Sequence, residues 1–202
     1  MKYAVEDLIR DVMARLGEIP RPQSSLVCDV PWPEDILALK VRSLLGDVGS
    51  RLIREAPAES LAGDDGVVAA SLEVGMRLMP CGLYAAEVEL PEGFLRLVSA
   101  KMGEWTRGVS ALSGPDDAGW ERQWSAEPGI AGCSGRPRAY LDLTARTPVV
   151  RLLGSRSPDD ALEWFSAWCM PETDATDRFH FPKGLYGALV SSVVACIADG
   201  SA

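Results

Sequence analysis

Helical spacing at both ends of the chain, two-residue alternation between them, and clusters of turn formers within the alternating stretch predict an α+β protein. The expected architecture is a helical bundle, made of N-terminal helices plus a C-terminal helix, with an inserted antiparallel β unit. Across the 202 residues the divisions fall at 1–62 for the N-terminal helical part, 63–181 for the β insertion, and 182–202 for a C-terminal helix that packs on the N-terminal ones. No internal repeat is visible at any solenoid period.

The first helix is predicted from Tyr3 to Leu16, because Val5, Leu8, Ile9, Val12, Met13 and Leu16 recur at helical spacing. Glu6 and Asp7 come early and Arg15 late, as the helix dipole favours. Gly17 ends it, and Pro20, Pro22, Pro31 and Pro33 make the next stretch an extended connector, with Trp32 as its anchor. A second helix is predicted from Pro33 to Glu55, with Leu37, Val41, Leu44, Val48 and Leu52 as its apolar stripe and Pro57 closing it. Gly46 and Gly49 lie inside that helix, where each costs about 1 kcal/mol relative to Ala. They predict either a close helix contact or a bend.

After a turn at Gly63-Asp-Asp-Gly66 the period changes to two. Tyr84, Ala86, Val88 and Leu90 share one face of a strand, and Ala85, Glu87 and Glu89 the other. Pro91-Glu-Gly93 reads as the turn of a hairpin into a second strand, Phe94 to Met102. The stretch 113–137 is rich in Gly, Pro, Ser and Asp, a long loop with one short helical island from Asp117 to Ala126 that carries Trp120 and Trp124. Strand-like runs at Arg138–Thr144, Val149–Leu153 and Ala161–Trp168, separated by Thr147-Pro148 and Ser157-Pro-Asp-Asp160, predict an antiparallel meander. Helical spacing returns from Leu185 to Ile197 through Tyr186, Leu189, Val190, Val193 and Val194, with Gly200 as a stop.

Composition narrows the functional classes. Hydrophobic residues make up 47% and charged residues 24%, which excludes a wholly disordered chain. A net charge of -9 argues against a protein that coats nucleic acid by bulk positive charge. Charged residues interrupt every apolar run, so no membrane span is expected, and the acidic start at Glu6-Asp7 predicts no secretory signal and hence synthesis in the cytoplasm. Cys28, Cys81, Cys133, Cys169 and Cys196 are scattered and read as reduced structural thiols rather than zinc ligands. His180 is the single histidine, which removes two-histidine metal sites. No catalytic, cofactor-binding or metal residues are expected.

Several patterns invite chemistry, and each has a plainer reading. Gly129-Ile-Ala-Gly-Cys-Ser-Gly135 has the small residues of a phosphate loop, but Arg136-Pro137 and a strand follow where a Lys and a helix are needed, so a flexible loop is expected. Cys133 or Ser134 with His180 would make a nucleophile and base, a pair that can be drawn in almost any chain with a histidine. Asp64-Asp65, Asp116-Asp117 and Asp159-Asp160 resemble calcium or paired-carboxylate sites, yet each adjoins Gly or Pro and reads as a turn. Trp164 and Trp168, placed on one face with Leu162, are expected in the core, with a subunit interface as the alternative. Only Lys2, Lys40, Lys101 and Lys183 are lysines; the other basic residues are arginines, suited to pairing with carboxylates across interfaces.

Taken together, three phrases resemble the head-to-tail adaptor (connector) proteins of tailed bacteriophages and prophages. They are Val88-Glu-Leu-Pro-Glu-Gly-Phe-Leu-Arg-Leu-Val98 with Lys101-Met102 and Trp105; Gly135-Arg-Pro-Arg-Ala-Tyr140; and Val149–Leu153, Ser157-Pro-Asp-Asp160, Leu162-Glu-Trp-Phe-Ser166 and the Leu185-Tyr-Gly-Ala-Leu-Val-Ser-Ser192 helix in that order. The amphipathic start from Tyr3 to Val12 is similar too. The resemblance implies a helical bundle with a β insertion, made in the host bacterial cytoplasm and assembled with copies of itself as a dodecameric ring at the head-tail junction of the virion. Its implied partners are the portal protein and a tail protein, with double-stranded DNA passing non-specifically through the lumen. An acidic lumen repels phosphate over a range of about 10 Å at 0.1 M salt, which suits a conduit. The alternatives are a small enzyme or ligand-binding module with a pocket near His180, flanked by Phe179 and Phe181, and a general scaffold subunit within a tail.

Overall fold

The structure, a computed structural model, describes residues 1–17, 33–61, 67–68, 72–117, 119–144 and 147–199. In chain order its regular elements are β1 (Lys2–Ala4), α1 (Val5–Arg15), α2 (Pro33–Glu55), β2 (Val67–Val68), β3 (Val74–Leu78), β4 (Tyr84–Glu89), β5 (Phe94–Met102), α3 (Pro128–Ala131), β6 (Arg138–Asp142), β7 (Val149–Ser155), β8 (Leu162–Cys169), β9 (Arg178–His180) and α4 (Tyr186–Ala198). The chain is α+β and forms two compact units. A helical unit comprises Met1–Asp64 and Met170–Ala202, and a β unit comprises Asp65–Cys169. Among the described residues no helix is long and apolar enough to cross a membrane. The expected connector with Trp32 and Cys28, and the Gly63–Gly66 turn with Asp64 and Asp65, lie outside the described residues.

In the helical unit α1, α2 and α4 pack on one another, as the bundle reading expects. Val5, Leu8, Ile9, Val12 and Met13 of α1 are buried, as are Leu189, Val190 and Val193 of α4. The Tyr186 hydroxyl donates to Asp11 Oδ2 at 2.5 Å and the Arg15 guanidinium donates to the Ser191 hydroxyl, tying α4 to α1 at both ends of the contact. Gly17 leaves α1 with φ 79°, a conformation open to glycine at little cost.

Two details of this unit depart from the sequence reading. The first helix begins at Val5, not Tyr3, because Lys2, Tyr3 and Ala4 form a strand opposite His180, Phe179 and Arg178 of β9. The main-chain N–H of Val5, an orphan donor at a helix start, is satisfied by the carbonyl of Asp177 at 3.1 Å. The α2 stripe departs in part from the expected one: Val41 and Val48 are buried as expected, but Leu45 and Ile53 are buried in place of Leu44 and Leu52, which are half-buried like Leu37. The cause is the close approach of the chain around β9. A Cβ on Gly49 would lie 2.9 Å from Pro171 Cγ, 3.2 Å from Phe181 Cε2 and 3.3 Å from Phe179 Cζ. The glycine thus meets a close contact, made by a proline and two stacked aromatic rings instead of another helix. The same pairing moves residues 170–181 out of the expected insertion and into the helical unit.

The β unit holds two antiparallel sheets, of order β3-β4-β7-β6 and β2-β8-β5. Ala86, Val88, Val150 and Leu152 from the first sheet and Leu97, Ala100, Phe165 and Ala167 from the second belong to one buried cluster, the core of a sandwich. Strands β4 and β5 appear where the alternation places them, yet they do not form a hairpin. Both edges of β4 are taken, one by β3 and the other by β7, and the Leu90 N–H continues that second pairing to the carbonyl of Pro148. Pro91–Gly93 is therefore a corner between the sheets, and β5 pairs with β8. The expected meander breaks for the same reason: β6 and β7 form a hairpin, but β7 is already flanked by β6 and β4, so β8 crosses to the other sheet.

Candidate functional site

The outer face of the four-stranded sheet, opposite the sandwich core, carries a row of alternating charge drawn from every strand. Arg77 on β3 pairs with Glu87 on β4 at 3.2 Å, Glu87 with Arg151 on β7 at 2.9 Å, and Arg151 with Asp142 on β6 at 2.6 Å. Strand alternation puts Glu87 and Arg151 directly opposite each other in the ladder, so the row follows from register. The stretch after β5 folds over this row. A 3-10 turn, Trp120–Trp124, brings the Gln123 side-chain oxygen to 3.3 Å from Arg151 Nη1 and lays the Trp124 ring 4.8 Å from the guanidinium carbon. Trp120 stands edge-on to Tyr140, the cross-strand neighbour of Arg151. The short island expected over Asp117–Ala126 is this turn, followed by α3.

Electrostatics on this face favour a clamp. Arg151 and Asp142 are buried and mutually neutralised. Burial on its own pushes the Asp142 carboxyl up, but the hydroxyl and amide of Thr144, together with the charges of Arg151 and Arg77, hold it below its ordinary value. Burial pushes the Tyr140 phenol up, against the nearby charges of Arg138 and Arg122. With its fork given to Glu87, Asp142 and Gln123, Arg151 fastens the covering turn to the sheet.

A second feature of the β unit is an open apolar groove of about 620 Å³ at the Pro91–Gly93 corner. Its walls include Leu90, Phe94, Leu95, Leu141, Leu143 and Pro148, with Glu92 as the carboxylate. Such a lining suits an apolar group held by burial.

The residues singled out from the sequence fall as follows. His180 sits on β9 opposite Lys2, half-buried between the buried Phe179 and Phe181, in the helical unit. Cys133 and Ser134 belong to the β unit, in a tight turn closed by hydrogen bonds between Cys133 and Arg136, with the Ser134 carbonyl accepting from the amide and hydroxyl of Thr106. The middle of the Gly129–Gly135 stretch is packed: a Cβ on Gly154 of β7 would lie 2.8 Å from the main chain of Cys133, and one on Gly132 would lie 3.3 Å from the Leu153 carbonyl, whereas Gly129 and Gly135 are exposed and meet nothing within 4 Å. Gly132 thus serves close approach to a strand. Asp117 accepts from the Gly119 amide at 2.8 Å, and Asp160 accepts from the Ser155 hydroxyl and the Glu104 amide, both within turns. Trp168 is 2% exposed but Trp164 is 41% exposed, with Lys101 Nζ 5.0 Å over its ring, which corrects the shared core face. The core face of β8 is instead Phe165 and Ala167. Among the described residues no group of three or more His, Cys, Asp and Glu side chains is placed to hold a metal ion, and Cys81, Cys133, Cys169 and Cys196 are free thiols.

Sequence reading missed the charge row and β3. The row had a faint signal in the odd-numbered polar positions Glu87 and Arg151 of otherwise apolar strands. No family model, curated protein or solved structure matches the chain.

Proposed function

We propose that this chain is a structural virion protein: a ring-forming head-to-tail adaptor that joins a phage portal to the tail, with DNA passing through the ring. One observation carries the reading. The phrases that resemble adaptor proteins fall in order on elements of both units. Val88–Val98 spans the end of β4, the intersheet corner and the start of β5, Gly135–Tyr140 leads into β6, Val149–Leu153 lies in β7, Ser157–Asp160 in the turn after it, Leu162–Ser166 in the first part of β8, and Leu185–Ser192 opens α4. A β unit placed in the chain between α2 and α4 of a helical unit is the order the resemblance implies.

The net charge of -9 supports the same role, because carboxylates facing a lumen keep a phosphate backbone from sticking. The test is assembly. Purified protein mixed with the portal encoded alongside it is expected to form a ring on the portal in cryo-electron microscopy. A chain that stays monomeric at high concentration and also fails to bind that portal overturns the proposal, as does turnover of a small molecule that stops in His180→Ala.

A further inference from the structure

Among the described residues nothing pairs with the outer edge of β3. Among the described residues β3 pairs with β4 alone, whereas β6, at the other edge of the sheet, is covered in part by Ser113, whose amide donates to the Ala139 carbonyl and whose carbonyl accepts from the Leu141 amide. Exposed strand edges are templates for further pairing and are usually blunted. This one is Val74-Gly-Met-Arg-Leu78, with Val74 39% and Leu78 60% exposed and Met76 packed on the edge of the sandwich core.

The ladder tells which main-chain groups face outward. Glu89 donates to the Glu73 carbonyl and Met79 donates to the Leu83 carbonyl, so Glu73 and Met79 turn toward the β4 side. By the alternation of an antiparallel pair, Gly75 and Arg77 do the same, and the N–H and C=O groups of Val74, Met76 and Leu78 point to the outer edge. Those three positions are symmetric about Met76, and all three are apolar.

We infer that β3 pairs with β3 of a second copy of this chain, antiparallel, about a two-fold axis through Met76. In that register the outward groups of Met76 meet those of Met76 of the partner subunit, and Val74 meets Leu78 of the partner subunit. The apolar side chains of both strands then lie on the core side and extend the sandwich across the axis. On the outer face Arg77 of the partner subunit stands opposite Gly75, where a Cβ would find nothing within 4 Å, so the long side chain has room. Its diagonal neighbours on this strand are the exposed Glu73 and Arg77, the latter already held by Glu87 at 3.2 Å. The strand thus matches itself in hydrogen bonding and in apolar face. A two-fold contact closes on itself while ring contacts run head to tail. The dimer therefore stands apart from the ring and does not rest on the adaptor reading.

The experiment uses the full chain without portal. Sedimentation velocity is expected to show a concentration-dependent dimer. Met76→Cys places two thiols across a hydrogen-bonded pair, about 5.5 Å between Cα atoms. It is expected to give a disulfide-linked dimer on a non-reducing gel well above the wild-type background, while Gly75→Cys does not. Met76→Asp sets like charges directly opposite each other on the axis and is expected to weaken dimerisation roughly tenfold. A strictly monomeric wild type, a dimer that Met76→Cys fails to cross-link, or equal cross-linking by Gly75→Cys overturns the inference. Ring formation on a portal is scored separately, so either result leaves the other readable.

Discussion

Replacing Arg151 by methionine removes the centre of the charge row while roughly preserving the volume of the side chain. The guanidinium holds Asp142 at 2.6 Å and Glu87 at 2.9 Å, and Trp124 lies over it. Glu87 is half-exposed and keeps Arg77, so it loses little. Asp142, with only 4% of its side chain exposed, keeps the Thr144 hydroxyl and amide but becomes a buried, unpaired charge. Breaking a buried pair in this way costs about 3–5 kcal/mol; the surviving Thr144 bonds set the expectation near 3 kcal/mol. For a unit of about a hundred residues that corresponds to a fall of roughly 12–24 °C in the midpoint of the β unit. Differential scanning calorimetry gives the midpoint, and tryptophan fluorescence reports release of Trp124. The double variant Arg151→Met with Asp142→Leu removes both charges and is expected to recover much of the loss. Because Asp142 is held below its ordinary value when folded, the contribution of the row is present above the unfolded carboxyl value of about 3.9 and is lost as pH falls through the lower folded value. A single variant within 1 kcal/mol of wild type, or a double variant no better than the single, would refute the reasoning.

Gly154→Ala is expected to be severely destabilising in thermal unfolding, by about 3 kcal/mol or more. The backbone there has φ 133°, and the added Cβ would meet main-chain atoms of Cys133 at 2.8 Å, so strain and overpacking act together. Gly49→Ala is expected to cost less, about 1 kcal/mol net, because improved helix propensity offsets part of the clash with Pro171 and the two phenylalanines. An equal or smaller loss at Gly154 than at Gly49 contradicts the reading. Asp174 accepts from the Thr176 hydroxyl and the Lys2 ammonium, which hold its carboxyl far below the ordinary range. A carbon-detected NMR titration should find it still ionised at about pH 3.9, where an unperturbed aspartate is half protonated. The stability it lends the β1–β9 corner is therefore present above about pH 4 and fades on acidification below that.

Much of the fold was legible, because the signals concerned were local. The bounds of α2 and β5 match the expected ones, since a proline start and a run that follows a Pro-Glu-Gly turn act over a few residues. Strand partnership was not legible. Whether Pro91–Gly93 closes a hairpin or turns a corner depends on β3 and β7 already occupying β4, and those neighbours come from distant parts of the chain. Strand β3 itself went unread because Val74-Gly-Met-Arg-Leu78 is short, contains a glycine and lacks alternating burial. Tyr3 and Ala4 of β1 were absorbed into a helix because their partner β9 lies far along the sequence. The charge row needed three strand pairings at once before Arg77, Glu87, Arg151 and Asp142 became neighbours. The single histidine drew notice by its rarity, while its place on a strand opposite Lys2 was invisible without the fold.

The β unit is one uninterrupted stretch, whereas the helical unit is assembled from both ends of the chain. During synthesis this fixes an order of events. Once Cys169 has left the ribosome, the sandwich has all of its strands, and it can close while α1 and α2 still lack β9 to seal Gly49 and α4 to cover their apolar faces. The helices spend that interval as unfinished surfaces awaiting the segment that begins at Met170. A segment translated after the sandwich is thus the one that commits the bundle.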